Sequence, residues 1–208
     1  MRYLKHYKFT TRLLVIILAG AAISACIPMP SFNAKQAKAA QDNKPKVFAP
    51  KGYNNAISAA RSGNYDEAIQ LFTEITTTNP DFANAYTNLG LLHRHKANKD
   101  EARQAFNKAI SLNPADAVSY NHLGVMLREE GKFSEAKDMY QSAIQHKSDY
   151  APAVLNLGIL YDLYLQDLPN ALTQYNNYQK LTGSQDKEVE KWIIDLDKRI
   201  QTMNKSQS

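Results

Sequence analysis

The chain is 208 residues long with 44% hydrophobic content, enough for one ordinary globular or repeat body with appendages and too little for two large cores. Its formal net charge of +5 is unevenly spread: residues 1–25 hold four bases and no acid, residues 26–50 hold four lysines against Asp42, and the remaining 17 bases face 19 acids, a net −2 from residue 51 onward. The basic balance therefore belongs to the N-terminal stretch, and nucleic-acid binding by the body loses its electrostatic support.

Arg2, Lys5, Lys8 and Arg12, a 12-residue apolar run over residues 13–24 and small residues ahead of Cys26 read as a secretory signal spanning residues 1–25. The run is shorter than the roughly 20 residues a membrane-crossing helix needs, and an uncleaved inner-membrane anchor is the alternative reading. With one cysteine, no disulfide forms within the chain. Ile23-Ser24-Ala25-Cys26 resembles a bacterial lipobox. That resemblance implies that Cys26 is acylated, becomes the mature N-terminus and holds the chain to the membrane, several acyl chains anchoring where one binds only marginally. Ile27 after the cysteine, rather than Asp, implies sorting to the outer membrane in a Gram-negative cell, with the body at the periplasmic face. Beyond Cys26, residues up to 51 mix Pro, Lys, Gln and Ala without an apolar period and read as a flexible tether. Its mean reach is about 25–30 Å. Phe32, Val47 and Phe48 packing on the first unit is the other reading of that stretch.

From there the sequence repeats itself. Tyr86, Leu89, Gly90, Ala102, Phe106, Ala109 and Pro114 are answered 34 residues later by Tyr120, Leu123, Gly124, Ala136, Tyr140, Ala143 and Ser148. The small residues fall where two helices would approach closely, and the apolar ones recur at helical spacing, giving each helix one stripe. This pattern closely resembles the tetratricopeptide repeat (TPR). The resemblance implies an all-α fold, an α-solenoid of about four helix-turn-helix repeats over residues 52–82, 83–116, 117–150 and 151–183. The first unit is degenerate, with Asn55-Ala56 where later units have Leu-Gly, as suits the end of a stack. In the fourth, Leu157-Gly158 keeps the register while Ala171 and Tyr175 follow Ala136 and Tyr140 by 35, so one residue is inserted around residues 165–169, where Pro169 can open the second helix. After Thr182-Gly183-Ser184, residues Val189, Trp192, Ile193, Leu196 and Ile200 form one apolar face of a capping helix over residues 186–203, which closes a TPR domain of residues 52–203. Residues 204–208 read as a frayed tail.

No sequence pattern for a metal, a phosphate or a nucleophile is present, and neither enzyme activity nor a cofactor is expected. His93 and His95 point to different faces, His122 and His146 belong to another unit, and His93, at the position the family gives to Tyr, reads as a core residue. What remains is protein binding. The family's geometry implies a groove lined by the first helix of each unit, with Leu91, Val125 and Ile159 as an apolar floor and Arg94, Arg128 and Asp162 one turn on as a rim. Packing residues are the alternative reading of the first three. Some relatives clamp a terminal carboxylate with Asn and Lys where this chain has Leu91 and Thr87, and that clamp is absent. The expected function is a lipid-anchored scaffold in envelope assembly, resembling pilotins of type IV or tight-adherence pili. The alternatives are a regulatory adaptor for peptidoglycan enzymes or for an energy-transducing complex and, least favoured, an enzyme or solute binder.

Overall fold

Each 34-residue unit folds as a helical hairpin because its small residues meet its large ones across the crossing. The computed structural model describes residues 49–207, within a unit that runs from Phe48 to Ser208. The leader at 1–25, Cys26 and most of the tether lie outside the described residues. In chain order the helices are α1 (Tyr53–Arg61), α2 (Tyr65–Thr78), α3 (Ala83–His95), α4 (Lys99–Leu112), α5 (Ala117–Glu129), α6 (Phe133–His146), α7 (Ala151–Leu160), α8 (Leu168–Leu181) and α9 (Lys187–Gln207). The described residues contain no strand. The architecture is the expected all-α solenoid: α1/α2, α3/α4, α5/α6 and α7/α8 pair as hairpins, and α9 follows.

Within three of the hairpins a glycine of the first helix lies against a buried ring of the second. A Cβ placed on Gly90 would stand 2.5 Å from the Phe106 ring, and one on Gly124 or Gly158 would stand 2.7 Å from Tyr140 or Tyr175. Those rings are 0–1% exposed. The degenerate first unit substitutes Ala56, fully buried in the same cluster as Phe72. The hairpin turns also share one device. Gly63, Ala97 and Gly131 adopt a left-handed backbone at φ 81°, 62° and 77°. The next amide then donates back to the helix: Asn64 to Ala59, Asn98 to His93 and Lys132 to Leu127, each at 2.9 Å.

The inserted residue of the fourth unit is absorbed at the same place. α7 runs into one π-helical turn, Tyr161–Leu165, and the left-handed residue becomes Gln166 at φ 54°. Asp167 donates its amide to the Tyr161 carbonyl at 2.9 Å and accepts the Asn170 amide through its side chain, starting α8 with Pro169 in the first turn.

Between hairpins, α3 touches α5 and α5 touches α7, whereas no comparable contact joins α4 to α6 or α6 to α8. The first helices are therefore the closely spaced side of the stack and the second helices the splayed side. At the C-terminal end α9 covers α8 with Val189 and Leu196, 1% and 0% exposed. Trp192, expected on that buried face, is 38% exposed and meets Tyr175 by its ring at 5.4 Å. Asp186 caps α9, and the helix persists to Gln207, so the residues expected to fray from 204 are helical as far as they are described.

Candidate partner-binding face

The first helices present the surface where the sequence places a groove. Of its expected apolar floor, Val125 is buried while Leu91 and Ile159 keep partial exposure. Val125 is 7% exposed and belongs to a cluster with Leu127, Tyr140, Leu157 and Leu160. Leu91 is half-buried against Phe106, Leu123 and Met126, and Ile159 against the α8/α9 cluster. Each residue after a Leu-Gly pair meets different neighbours: Leu91 lies against α4 and α5, Val125 is closed in by α6 and α7, and Ile159 packs toward α8 and α9.

The rim residues divide. Arg94 donates through Nη1 to His122 Nδ1 at 3.2 Å and through Nη2 to Glu129 at 3.4 Å. Arg128 lies with its guanidinium carbon 6.0 Å from the centre of the Tyr164 ring, which in turn meets Phe133 at 4.8 Å. Asp162 is turned instead to the end of the stack, where Arg199 of α9 donates to it at 2.8 Å. It serves the capping helix rather than a shared rim with the two arginines.

Electrostatics ties Arg94 and Arg128 to one buried phenol. Burial pushes the Tyr140 hydroxyl up to about 12 against the opposing pull of Arg128 and Arg94. His122 is lowered to about 4, first by burial and then by Arg94, with Asp116 working the other way. Because arginine only donates, His122 Nδ1 must accept, which fixes the neutral ring with its proton on Nε2. That ring stacks on Phe106 at 5.5 Å. Of the remaining histidines, His93 is half-buried near Asn98 rather than in the core, His95 leans on Tyr65 and His146 stacks on Tyr120.

Two clefts open nearby, the first on this side and the second at the C-terminal end of the stack beside Asp162. One, of about 450 Å³, is lined by Leu91, Arg94, His122, Met126 and Glu129. The other, of about 700 Å³, lies between the π-helical turn and α9, lined by Leu163, Leu168, Arg199 and Met203. Sequence reasoning missed His122, Tyr140 and the exposed run Leu163, Tyr164 and Leu165, at 58%, 42% and 37%. The slip in register at residues 165–169 was the available signal for that run. Among the described residues no group of three metal-ligating side chains forms, and no helix is long and apolar enough to cross a membrane.

Residues 53–117 and 105–138 match two tetratricopeptide-repeat family models. No curated protein matches the chain. Among solved structures it is similar to pilF of Pseudomonas aeruginosa, with a TM-score of 0.64 at 19% identity over 72% of this chain and 68% of that one. It is also similar to MamA of Desulfovibrio magneticus RS-1, with a TM-score of 0.60 at 16% identity over 71% and 82%. A further MamA structure gives 0.55 at 19% identity over 76% and 99%. Identities this low speak to the fold alone. Residues 53–138 thus carry the matched tetratricopeptide repeats, and the glycine-on-ring crossings and the left-handed turn continue the same hairpin pattern, so that the fold of the helical body is an all-α solenoid of tetratricopeptide-like hairpins.

Proposed function

We propose that the chain is a membrane-anchored periplasmic scaffold, held at the outer membrane by acylated Cys26, whose first-helix face captures a protein partner during envelope-complex assembly of the kind that builds type IV or tight-adherence pili. Tetratricopeptide repeats mediate protein–protein interaction, and the observation that carries the reading here is the open, arginine-bearing face between α3, α5 and the π-helical turn. The anchor rests on the pattern of residues 23–26. The fold likeness to pilF agrees with the pilus setting without requiring it. A regulatory adaptor for peptidoglycan enzymes or for an energy-transducing complex would use the same face with another partner. Proton-transfer chemistry has little support, since His122 at about 4 and Tyr140 at about 12 are both held away from the range in which a general acid or base works near neutral pH.

The test places a photo-crosslinking amino acid at Asn84 or Leu163 on the first-helix side and at Gln104 or Asp138 on the second-helix side, in the full chain in cells. Capture of one envelope-assembly protein from the first pair alone is the expected result. Capture from the second pair alone would move the interaction to the splayed side and overturn the reading. In parallel, Cys26→Ser should lose palmitate labelling and membrane retention; equal labelling and retention would overturn the anchor.

A further inference from the structure

We propose that the cleft between the π-helical turn and α9 is the docking seat of the protein partner, and that it takes an amphipathic helix presenting a stripe of large, uncharged aliphatic side chains. The proposal deepens the scaffold reading and rests on it. Among the described residues, all seven large apolar side chains that stand exposed fall between positions 163 and 203, and none belongs to the first three hairpins. Apolar surface concentrated in this way marks a contact site. The hairpin itself does not need it. Where the fourth unit has Leu163 and Tyr164, 58% and 42% exposed, the units before it carry His95 and Lys96, then Glu129 and Glu130, at offsets of 34 and likewise exposed. Polar residues close those turns, so the apolar ones serve something outside the fold. The form of the turn agrees, because π-helical turns are uncommon and concentrate at functional sites.

The chemistry of the occupant follows from the lining of the cleft, which holds about 700 Å³. Leu163 on the π-helical turn and Leu168 at the start of α8 line one side, and Arg199, Thr202 and Met203 of α9 line the other. Arg199 is already matched there: it donates to Asp162 at 2.8 Å and lies 3.5 Å from Asp195, and the Asp162 side chain is only 10% exposed. Lys198 stands exposed at the rim and keeps its water. A charged group entering the cleft would lose hydration without gaining a counter-charge. An aliphatic one instead covers Leu163, Leu168 and Met203. Walls made by two helical segments suit a third helix, laid in by its apolar stripe. Next to Leu163, Tyr164 lies over Arg128, so the cleft continues from the arginine-bearing face and one partner spans both.

The test uses the full chain in two settings. In cells, a photo-crosslinking amino acid at Met203 should capture the same protein as one at Asn84, and the Leu163→Asp, Met203→Asp double variant should cut capture from Asn84 about tenfold or more. In lipid nanodiscs, with empty nanodiscs as the blank, the probe is a fluorescein-labelled helical peptide of alanine and glutamine with leucines at alternating three- and four-residue spacing, read by anisotropy. It should bind, and the same peptide with glutamate for its central leucine should bind about tenfold more weakly or worse. Leu163→Asp and Met203→Asp should each weaken the leucine peptide to a similar extent. Ile194→Asp, at a position 49% exposed and nine residues from Met203, hence about two and a half turns away on the opposite side of α9, should leave it unchanged. All three positions are exposed, and an unaltered melting curve checks that the variants fold. Capture of lipid or of a second copy from Met203, equal binding of the two peptides, binding of neither, or indifference to the Leu163 and Met203 variants would each overturn the proposal. Should Asn84 capture its partner undiminished in the double variant, the scaffold reading stands and only the cleft falls; should Asn84 capture nothing in the wild type, both fall.

Discussion

Gly90 shows how one absent carbon sets a hairpin. In an open helix, replacing glycine by alanine stabilises by about 1 kcal/mol. Here the new Cβ would stand 2.5 Å from two carbons of Phe106, a ring 0% exposed with no room to swing. Overpacking of this kind costs about 1–3 kcal/mol, and that term should win. Gly90→Ala is therefore expected to lower the melting temperature by several degrees, and a rise would show that the ring yields. His122 carries the residue-scale prediction for pH. Its native pKa of about 4 lies below the ordinary 6.5, so the unfolded chain takes up a proton that the folded one refuses. The stabilisation is complete above about pH 6.5 and is lost as pH falls toward 4. Between pH 7 and pH 5 the His122 contribution is at most about 2 kcal/mol. His122→Phe keeps a ring against Phe106 and should remove that much of the acid dependence of urea unfolding; an unchanged dependence would refute the lowered pKa.

At the scale of the element, the repeat register was readable because each hairpin buries the same offsets. Leu89, Leu123 and Leu157 are 3–7% exposed, and the ring positions Phe106, Tyr140 and Tyr175 are 0–1% exposed. Counting offsets located the extra residue near 165–169 but could not give its form, because a period reports that a residue is added and not whether helix or loop takes it. The π-helical turn took it, and in doing so brought Tyr164 over Arg128. The start of α9 was read to within one residue from the turn at Thr182-Gly183-Ser184, but the bonds that hold it were not. Asp186 accepts the amides of Glu188 and Val189 at 3.1 and 3.2 Å and the Tyr178 hydroxyl at 3.1 Å, while its carbonyl accepts from Gln179 at 2.6 Å. Asp186→Ala should cost about 1–2 kcal/mol through the lost cap. Hydrogen exchange is expected to quicken in the first turn of α9 and to stay unchanged in α1 to α4. No change at α9 would mean that the Gln179 bond alone holds the junction.

On the scale of the whole molecule, the fold was legible and the binding face was not, for one physical reason. A repeat's fold depends on contacts inside the unit, which the period displays, whereas the fate of a surface residue depends on its neighbours along the stack. Leu91, Val125 and Ile159 share an offset, yet Val125 is sealed between hairpins and the outer two keep partial exposure. The same dependence on neighbours makes the end of the stack the place to test cooperativity. Val189 and Leu196 cover Leu168, Ala171 and Tyr175, and Arg199 neutralises Asp162 across the same junction. Removing residues 187–208 would uncover that apolar surface and leave the Asp162 carboxylate, only 10% exposed in the intact chain, without its cation. In a linear array each unit is stabilised by its own hairpin and by the adjoining interface. The loss should therefore fall on α7 and α8, whose amides would exchange faster and whose unfolding would separate as an early transition in urea. The Ala56 and Phe72 cluster at the other end touches none of the removed residues and should unfold where it did before. A single transition shifted as a whole would show instead that all four hairpins share one cooperative core.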